Sequence, residues 1–263
     1  MRGYRAIVSA RFRMLLQYRA AAVAGVGTQL MFGLIHVMVL GAFYAVSTQP
    51  QPMTFRQVVA YVWLGQAMLG MLPWNVDREL SQMIRTGSVA YELLRPLDLY
   101  SLWYARGIAM RTAPTLLRAV PMFIMAALFL GLPPPPSFAS AAAWVAATFG
   151  ALLLGCAITV LMTISMLWTI SGEGFFYLTA TAATVFSGMV LPLPLFPDWA
   201  QPVPRFLPFS GLCDVPFRLY SGNMPPAEAP WAIAHQLVWT VVLVVLGRRL
   251  LARGLRRLVV QGG

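Results

Sequence analysis

The side chains able to carry chemistry are few. The 263 residues include eight acids, two histidines, two cysteines and nineteen arginines, and no lysine. Without lysine a GxxxxGK[ST] phosphate loop is impossible in this chain. GxSxG and HExxH are absent, as is any Ser/His couple or aspartate pair at helical spacing within an apolar stretch, so intramembrane catalysis has no reacting groups. Cys156 lies inside an apolar run and Cys213 in a proline-rich one; their spacing suits neither a metal nor a disulfide framework, and both read as inert thiols. Proton-coupled carriers use buried carboxylates. No acid falls in the central part of any apolar run here. If the chain moves something uphill, the energy comes from another chain.

The polar groups inside apolar runs are the next candidates. Gln29, His36, Gln66 and His235 read first as interhelical hydrogen bonds, worth about 0.6 to 2 kcal/mol each in lipid, and second as contacts along a substrate path. Arg118 sits six residues into its run, about 9 Å deep at 1.5 Å per residue. It either snorkels to the headgroups or lines an inward-facing cavity. Asp77 and Glu79 are expected to pair locally with Arg78 or Arg85.

The elements that hold these residues follow from charge placement. Hydrophobic residues make up 59% of the chain and charged residues only 10%, against about 25% charged in a soluble domain. Uncharged windows lie between Arg19 and Arg56, and over 57–76, 119–172, 174–197 and 229–247. About 20 apolar residues cross the hydrocarbon, so each window holds one span. The third holds two, divided by Pro133-Pro134-Pro135-Pro136, which cannot continue a helix. Six spans are therefore expected, over 20–46, 58–76, 112–132, 137–170, 175–195 and 231–246, in a single all-α membrane domain. Residues 1–19 mix arginines with apolar residues at helical spacing, as in an interfacial helix lying among lipid headgroups. The run that follows is too long for a signal peptide. With both termini cytoplasmic, sixteen arginines fall inside and three (Arg56, Arg205, Arg218) outside, as the positive-inside rule requires. The net charge of +11 is explained by this placement and needs no nucleic acid. Along the fourth span Ala143, Ala147, Ala151, Gly155 and Thr159 form a small-residue face suited to close packing.

Two long segments lie outside the spans. The cytoplasmic one, residues 77–111, should form short helical pieces broken at Gly87 and stopped by Pro96. Its mixed charges and apolar side chains suit docking onto a soluble partner. The external one, residues 188–230, carries ten of the twenty prolines yet also Leu193, Phe196, Trp199, Phe206 and Phe217. Broken backbone at membrane depth survives only where protein or a cavity surrounds it. Re-entrant half-helices forming an external gate are the expectation.

These segments carry a resemblance. Ile84-Arg85-Thr86-Gly87 followed by Leu93-Leu94-Arg95-Pro96-Leu97 resembles the cytoplasmic motif of type-2 ABC exporter permeases, within a six-span branch whose subunits pair and share one ATPase. Phe186 to Pro197, then Leu207-Pro208-Phe209 and Tyr220-Ser221-Gly222, is similar to that branch's outer segment. The resemblance covers essentially the whole chain. It implies a bacterial plasma-membrane exporter of hydrophobic or amphipathic small molecules, of the drug or lipid class. A second permease subunit and an ABC ATPase that binds the ATP and Mg would be its partners, with no cofactor in this chain. A coupling helix between spans 2 and 3 is implied, placing Arg78, Glu79, Arg85, Gly87, Glu92, Leu93, Arg95 and Pro96 at the ATPase, with Glu173 in the next cytoplasmic turn. Gly188, Pro192, Pro194, Phe196, Pro197 and Phe209 would form the gate. The rival reading is an ATP-independent secondary transporter or channel, for which neither intramembrane carboxylates nor an inverted repeat is evident.

Overall fold

The computed structural model describes residues 2–17, 19–94, 96–169 and 173–256, and these are helical with irregular connections. An N-terminal helix α1 (Arg2–Leu15) precedes α2 (Arg19–Val46) and α3 (Phe55–Met68). After α4 (Arg78–Arg85) come α5 (Leu99–Phe129), α6 (Phe138–Ser165) and α7 (Glu173–Phe186). Two short helices, α8 (Pro202–Phe206) and α9 (Asp214–Ser221), lead to α10 (Ala229–Leu255).

Side-chain caps set several of the helix starts. Thr54 and Gln57 form a reciprocal capping box at α3, Asp98 accepts the Ser101 amide at α5, and Ser137 accepts the Ser140 amide at α6. Each satisfies donors that a helix terminus otherwise leaves open.

Four helical stretches among the described residues are long and apolar enough to cross a membrane: Ala24–Val46, Leu99–Phe129, Phe138–Ser165 and Pro226–Leu255. The other two expected spans differ. Helices α3 and α7 have 14 residues each, about 21 Å at 1.5 Å per residue. The first passes into a 3-10 turn over Leu69–Met71; the second ends at Phe186, two residues before Gly188 turns the chain at φ +84°, a left-handed helix terminator. The third expected span is longer than its apolar window. Helix α5 begins at Leu99, so residues 99–111, expected within the cytoplasmic segment, are continuous with the span. Polar residues there did not end the helix because Arg106 and Arg111 are buried by neighbouring elements.

At one end of the bundle α1, the start of α5 and the last turns of α10 meet. The Asp98 amide donates to the Tyr4 hydroxyl (3.0 Å), and Arg248 of α10 lies 3.1 Å from the Asp98 carboxylate. The chain thus brings its first and last helices to the same end. In the middle, α6 is the packing hub, touching α5, α9 and α10. Its Ala147, Ala151, Gly155 and Thr159 are buried, as the small-residue face requires. Gln236 of α10 donates to the carbonyls of Ala147 (3.0 Å) and Gly211 (2.7 Å). A Cβ at Gly150 would strike that amide, so the glycine makes room for this interhelical bond.

Candidate functional site

The segment between α3 and α5 is organised around one arginine. Asp77 opens α4 by accepting the amides of Glu79 (3.0 Å) and Leu80 (3.4 Å) on Oδ1. The helix is two turns long and is followed by Gly87 at φ +73°, a left-handed conformation that L side chains rarely adopt. The chain then forms a 3-10 stretch over Ser88–Leu94. Leu80, Ile84 and Val89 turn inward onto Leu99, Leu102 and Trp103. That burial fixes the segment to the start of α5.

Arg106, 6% exposed, sits beneath it. Its Nη2 is 2.8 Å from Asp77 and 2.9 Å from Glu79, and its Nη1 is 3.7 Å from Glu92. Arg11 of α1 reaches Asp77 (3.7 Å) and also pairs with Glu79. The local pairing expected with Arg78 or Arg85 is thus corrected: the carboxylates are held from α1 and α5, because the short helix points its acidic end at them. Burial works to raise the Glu79 carboxyl, but the Arg106 and Arg11 charges outweigh it and hold it below the ordinary carboxylate range. Glu92 is buried and accepts the Trp103 indole N–H at 3.0 Å.

Of the residues assigned to this segment, Arg78 and Arg85 are exposed, Glu92 faces inward, and Leu93 and Pro96 face outward. Arg95 lies outside the described residues. Glu173 is the first residue of α7. Tyr91, Leu93 and Leu94 form an exposed apolar ridge, with Leu94 81% exposed.

The segment between α7 and α10 is built around a buried carboxylate. Asp214 opens α9 and is 3% exposed. Its Oδ1 accepts the Tyr61 hydroxyl (3.1 Å) and the Leu193 amide (3.3 Å), and its Oδ2 accepts from Arg218 at 3.4 Å. Burial raises the Asp214 carboxyl above its ordinary range despite Arg218 and these donors. Gly188 passes this site at φ +84°, where a Cβ would collide with the Tyr61 hydroxyl. Pro192 and Pro194 are buried beside it, Phe196 is half-buried, and Pro197 is exposed. Phe209 stacks on Phe186 with ring centroids 6.5 Å apart.

The remaining candidates are dispersed. Gln29 and Gln66 are buried, and His36 is half-buried on α2. His235 Nε2 lies 3.1 Å from the Phe206 carbonyl and from Trp239 Nε1, so it ties the outer segment to α10. Arg118 leans against Gly25 of α2, and its Nε has no hydrogen-bond partner within the protein. Sequence reasoning passed over Arg106, Tyr61 and Asp214 as site residues. The one signal for Arg106 was a charge on what proves to be a continuous helix; Asp214 was hidden among loop residues.

Residues 30–262 match the family described as ABC-2 family transporter protein. The chain belongs to the ABC-2 transporter family. The match takes in the last 17 residues of α2 and all of α3 to α10. No curated protein and no solved structure matches this ABC-2 chain. As a member of the family it is a transporter membrane subunit, multi-pass and all-α.

Proposed function

We propose that this ABC-2 permease is the membrane subunit of an ATP-driven exporter in the bacterial plasma membrane, moving hydrophobic or amphipathic small molecules of the drug or lipid class. ATP and Mg are bound by a separate ABC ATPase, and a second permease subunit, identical or a sibling, completes the pathway. Helices α3 and α7, extended by the irregular chain after each, complete six crossings, with both termini cytoplasmic.

The observation that carries this reading is the Asp77–Leu94 segment. It offers an exposed ridge of Tyr91, Leu93 and Leu94 while Arg106 anchors its other side to a 31-residue helix. A surface so mounted transmits a push from a soluble partner into a membrane helix. The lysine-free sequence holds no Walker-type phosphate loop, which accords with a separate ATPase. The outer segment, with Gly188 and its prolines packed over the bundle, serves as the gate.

The test is co-purification in mild detergent with mass spectrometry of every bound chain, wild type beside Leu94→Glu. An ABC ATPase is expected with the wild type and depleted at least tenfold with the variant. Its absence from the wild-type complex would favour an ATP-independent carrier.

A further inference from the structure

A cavity of about 330 Å³ opens where α8, α9 and the first turns of α10 meet. Arg205 of α8, Asp214 and Arg218 of α9, and Glu228, Ala232 and His235 along the start of α10 line it. Sixteen residues of α10 separate Ala232 from Arg248, so the cavity lies about 24 Å of helical rise from the Arg248–Asp98 pair. The apolar stretch Pro226–Leu255 begins at its edge. Trp231 and Phe206, each one residue from a lining side chain, are 82% and 73% exposed. Exposed aromatic residues at the end of a span mark the headgroup level of a bilayer. The cavity therefore opens among lipid headgroups and not among acyl chains.

Part of its charge is committed and part is free. Arg218 is fixed in place, its Nε donating to Asn223 at 2.7 Å and its Nη1 to Asp214 at 3.4 Å. Its Nη2 has no acceptor among the described residues, and 18% of the side chain stays open. Arg205 donates to the Gln201 side chain and pairs with no carboxylate among the described residues. Glu228 likewise pairs with no cation there, and both side chains are exposed. Asp214 already balances Arg218, which leaves one free cation and one free anion. The His235 ring lies against the Phe206 carbonyl, so Arg205 stands at the His235 end of the cavity. Glu228 is seven residues earlier, about 10 Å along the α10 axis. Opposite charges so spaced suit a short zwitterion. No Phe, Tyr or Trp lines the cavity, so it lacks the aromatic cage that recognises a quaternary ammonium. A carboxylate acceptor instead selects an ammonium with N–H groups to donate.

We propose that this cavity binds the phosphoethanolamine headgroup of a phospholipid from the surrounding leaflet. The phosphate accepts from Arg205 and from Nη2 of Arg218, and the primary ammonium donates to Glu228. Two charge-assisted contacts of about 2.8 Å and the two-carbon bridge of the headgroup fill the distance between the free charges. The volume is at the small end for a ligand pocket and takes a headgroup without its acyl chains. Those chains leave past Trp231 and Phe206 into the bilayer. Binding involves this end of the bundle alone and holds whether or not the chain is driven by ATP.

The experiment is native mass spectrometry of the full chain released from nanodiscs. These hold phosphatidylethanolamine, phosphatidylcholine and phosphatidylglycerol in equal amounts, with distinguishable acyl chains of matched length. One retained phosphatidylethanolamine per chain is expected, favoured about fivefold over either competitor, the upper end for an exposed ion pair. Glu228→Gln should erase the preference over phosphatidylglycerol, and Arg205→Gln should lower retention of both. Each side chain is exposed, so both variants should keep the wild-type thermal midpoint. Equal retention of phosphatidylethanolamine and phosphatidylcholine, or a wild-type preference in Glu228→Gln, would overturn the site. Phosphatidylglycerol held as well as phosphatidylethanolamine would overturn the zwitterion. Free O-phosphoethanolamine separates the sources. Lipid that stays bound in its presence supports the membrane as the source, and displacement would overturn it in favour of a soluble ligand of the same chemistry.

Discussion

Asp77 gives one carboxylate oxygen to the amides that open α4 and the other to Arg106 of α5, whose Nε donates to it at 2.9 Å. A single side chain thus both starts α4 and fastens it to α5. The two roles separate by substitution. Asp77→Asn keeps a cap of similar strength and loses the charge, whereas Asp77→Ala loses both, the cap alone being worth about 0.5–2 kcal/mol. Thermal unfolding of the purified chain should rank wild type above Asn above Ala. Substrate-stimulated ATPase of the reconstituted complex should already fall in Asp77→Asn. Full stimulation in that variant would show that the Asp77–Arg106 link transmits nothing.

Gly87 is held at φ +73° with open space where a Cβ would stand. The cost of a side chain is then backbone strain alone, about 1–2 kcal/mol for the left-handed region. Gly87→Val should leave membrane insertion and folding intact yet misdirect the Tyr91–Leu94 ridge. Leu93→Pro should do the same by breaking the 3-10 stretch. Pull-down of the ATPase and its stimulation by substrate measure the effect; wild-type values for both variants would move the coupling role to the turn before α7.

Topology is open to labelling, because both native thiols, Cys156 and Cys213, are buried and give little background. Single cysteines at Ser137 and Ser221 should react with a membrane-impermeant reagent in intact cells. One at Ser88 should react only after permeabilisation. Labelling of Ser88 from outside would contradict both the arginine asymmetry and the six-crossing arrangement.

The segment around α9 should respond to pH through Asp214. Its folded carboxyl is raised by burial, so folding favours the protonated form. That stabilisation is complete below the ordinary aspartate range and is lost as pH rises through the raised value. The thermal midpoint of the wild type should therefore drop as pH climbs out of the acid range, and Asp214→Asn should lack this component. Tyr61→Phe, removing a hydrogen bond to a charged group, should cost about 1.5–3 kcal/mol. Parallel pH profiles for wild type and Asp214→Asn would exclude the carboxyl as the source.

By itself the sequence determined that the chain is a helical membrane protein and where two irregular segments interrupt its long apolar runs. Those conclusions rest on local quantities. An uncharged run of 20 residues, four consecutive prolines or a glycine before a leucine pair means the same thing wherever the neighbours lie. The break at Gly87 and the small face of α6 were legible for that reason. Tertiary structure alone decided the partners. Asp77 meets Arg106 across 29 residues and Tyr61 meets Asp214 across 153, and no periodicity encodes contacts at such separations. It also decided where α5 begins. Arg106 and Arg111 look like the end of an apolar window, but burial against carboxylates in one case and backbone carbonyls in the other lets the helix run on through them.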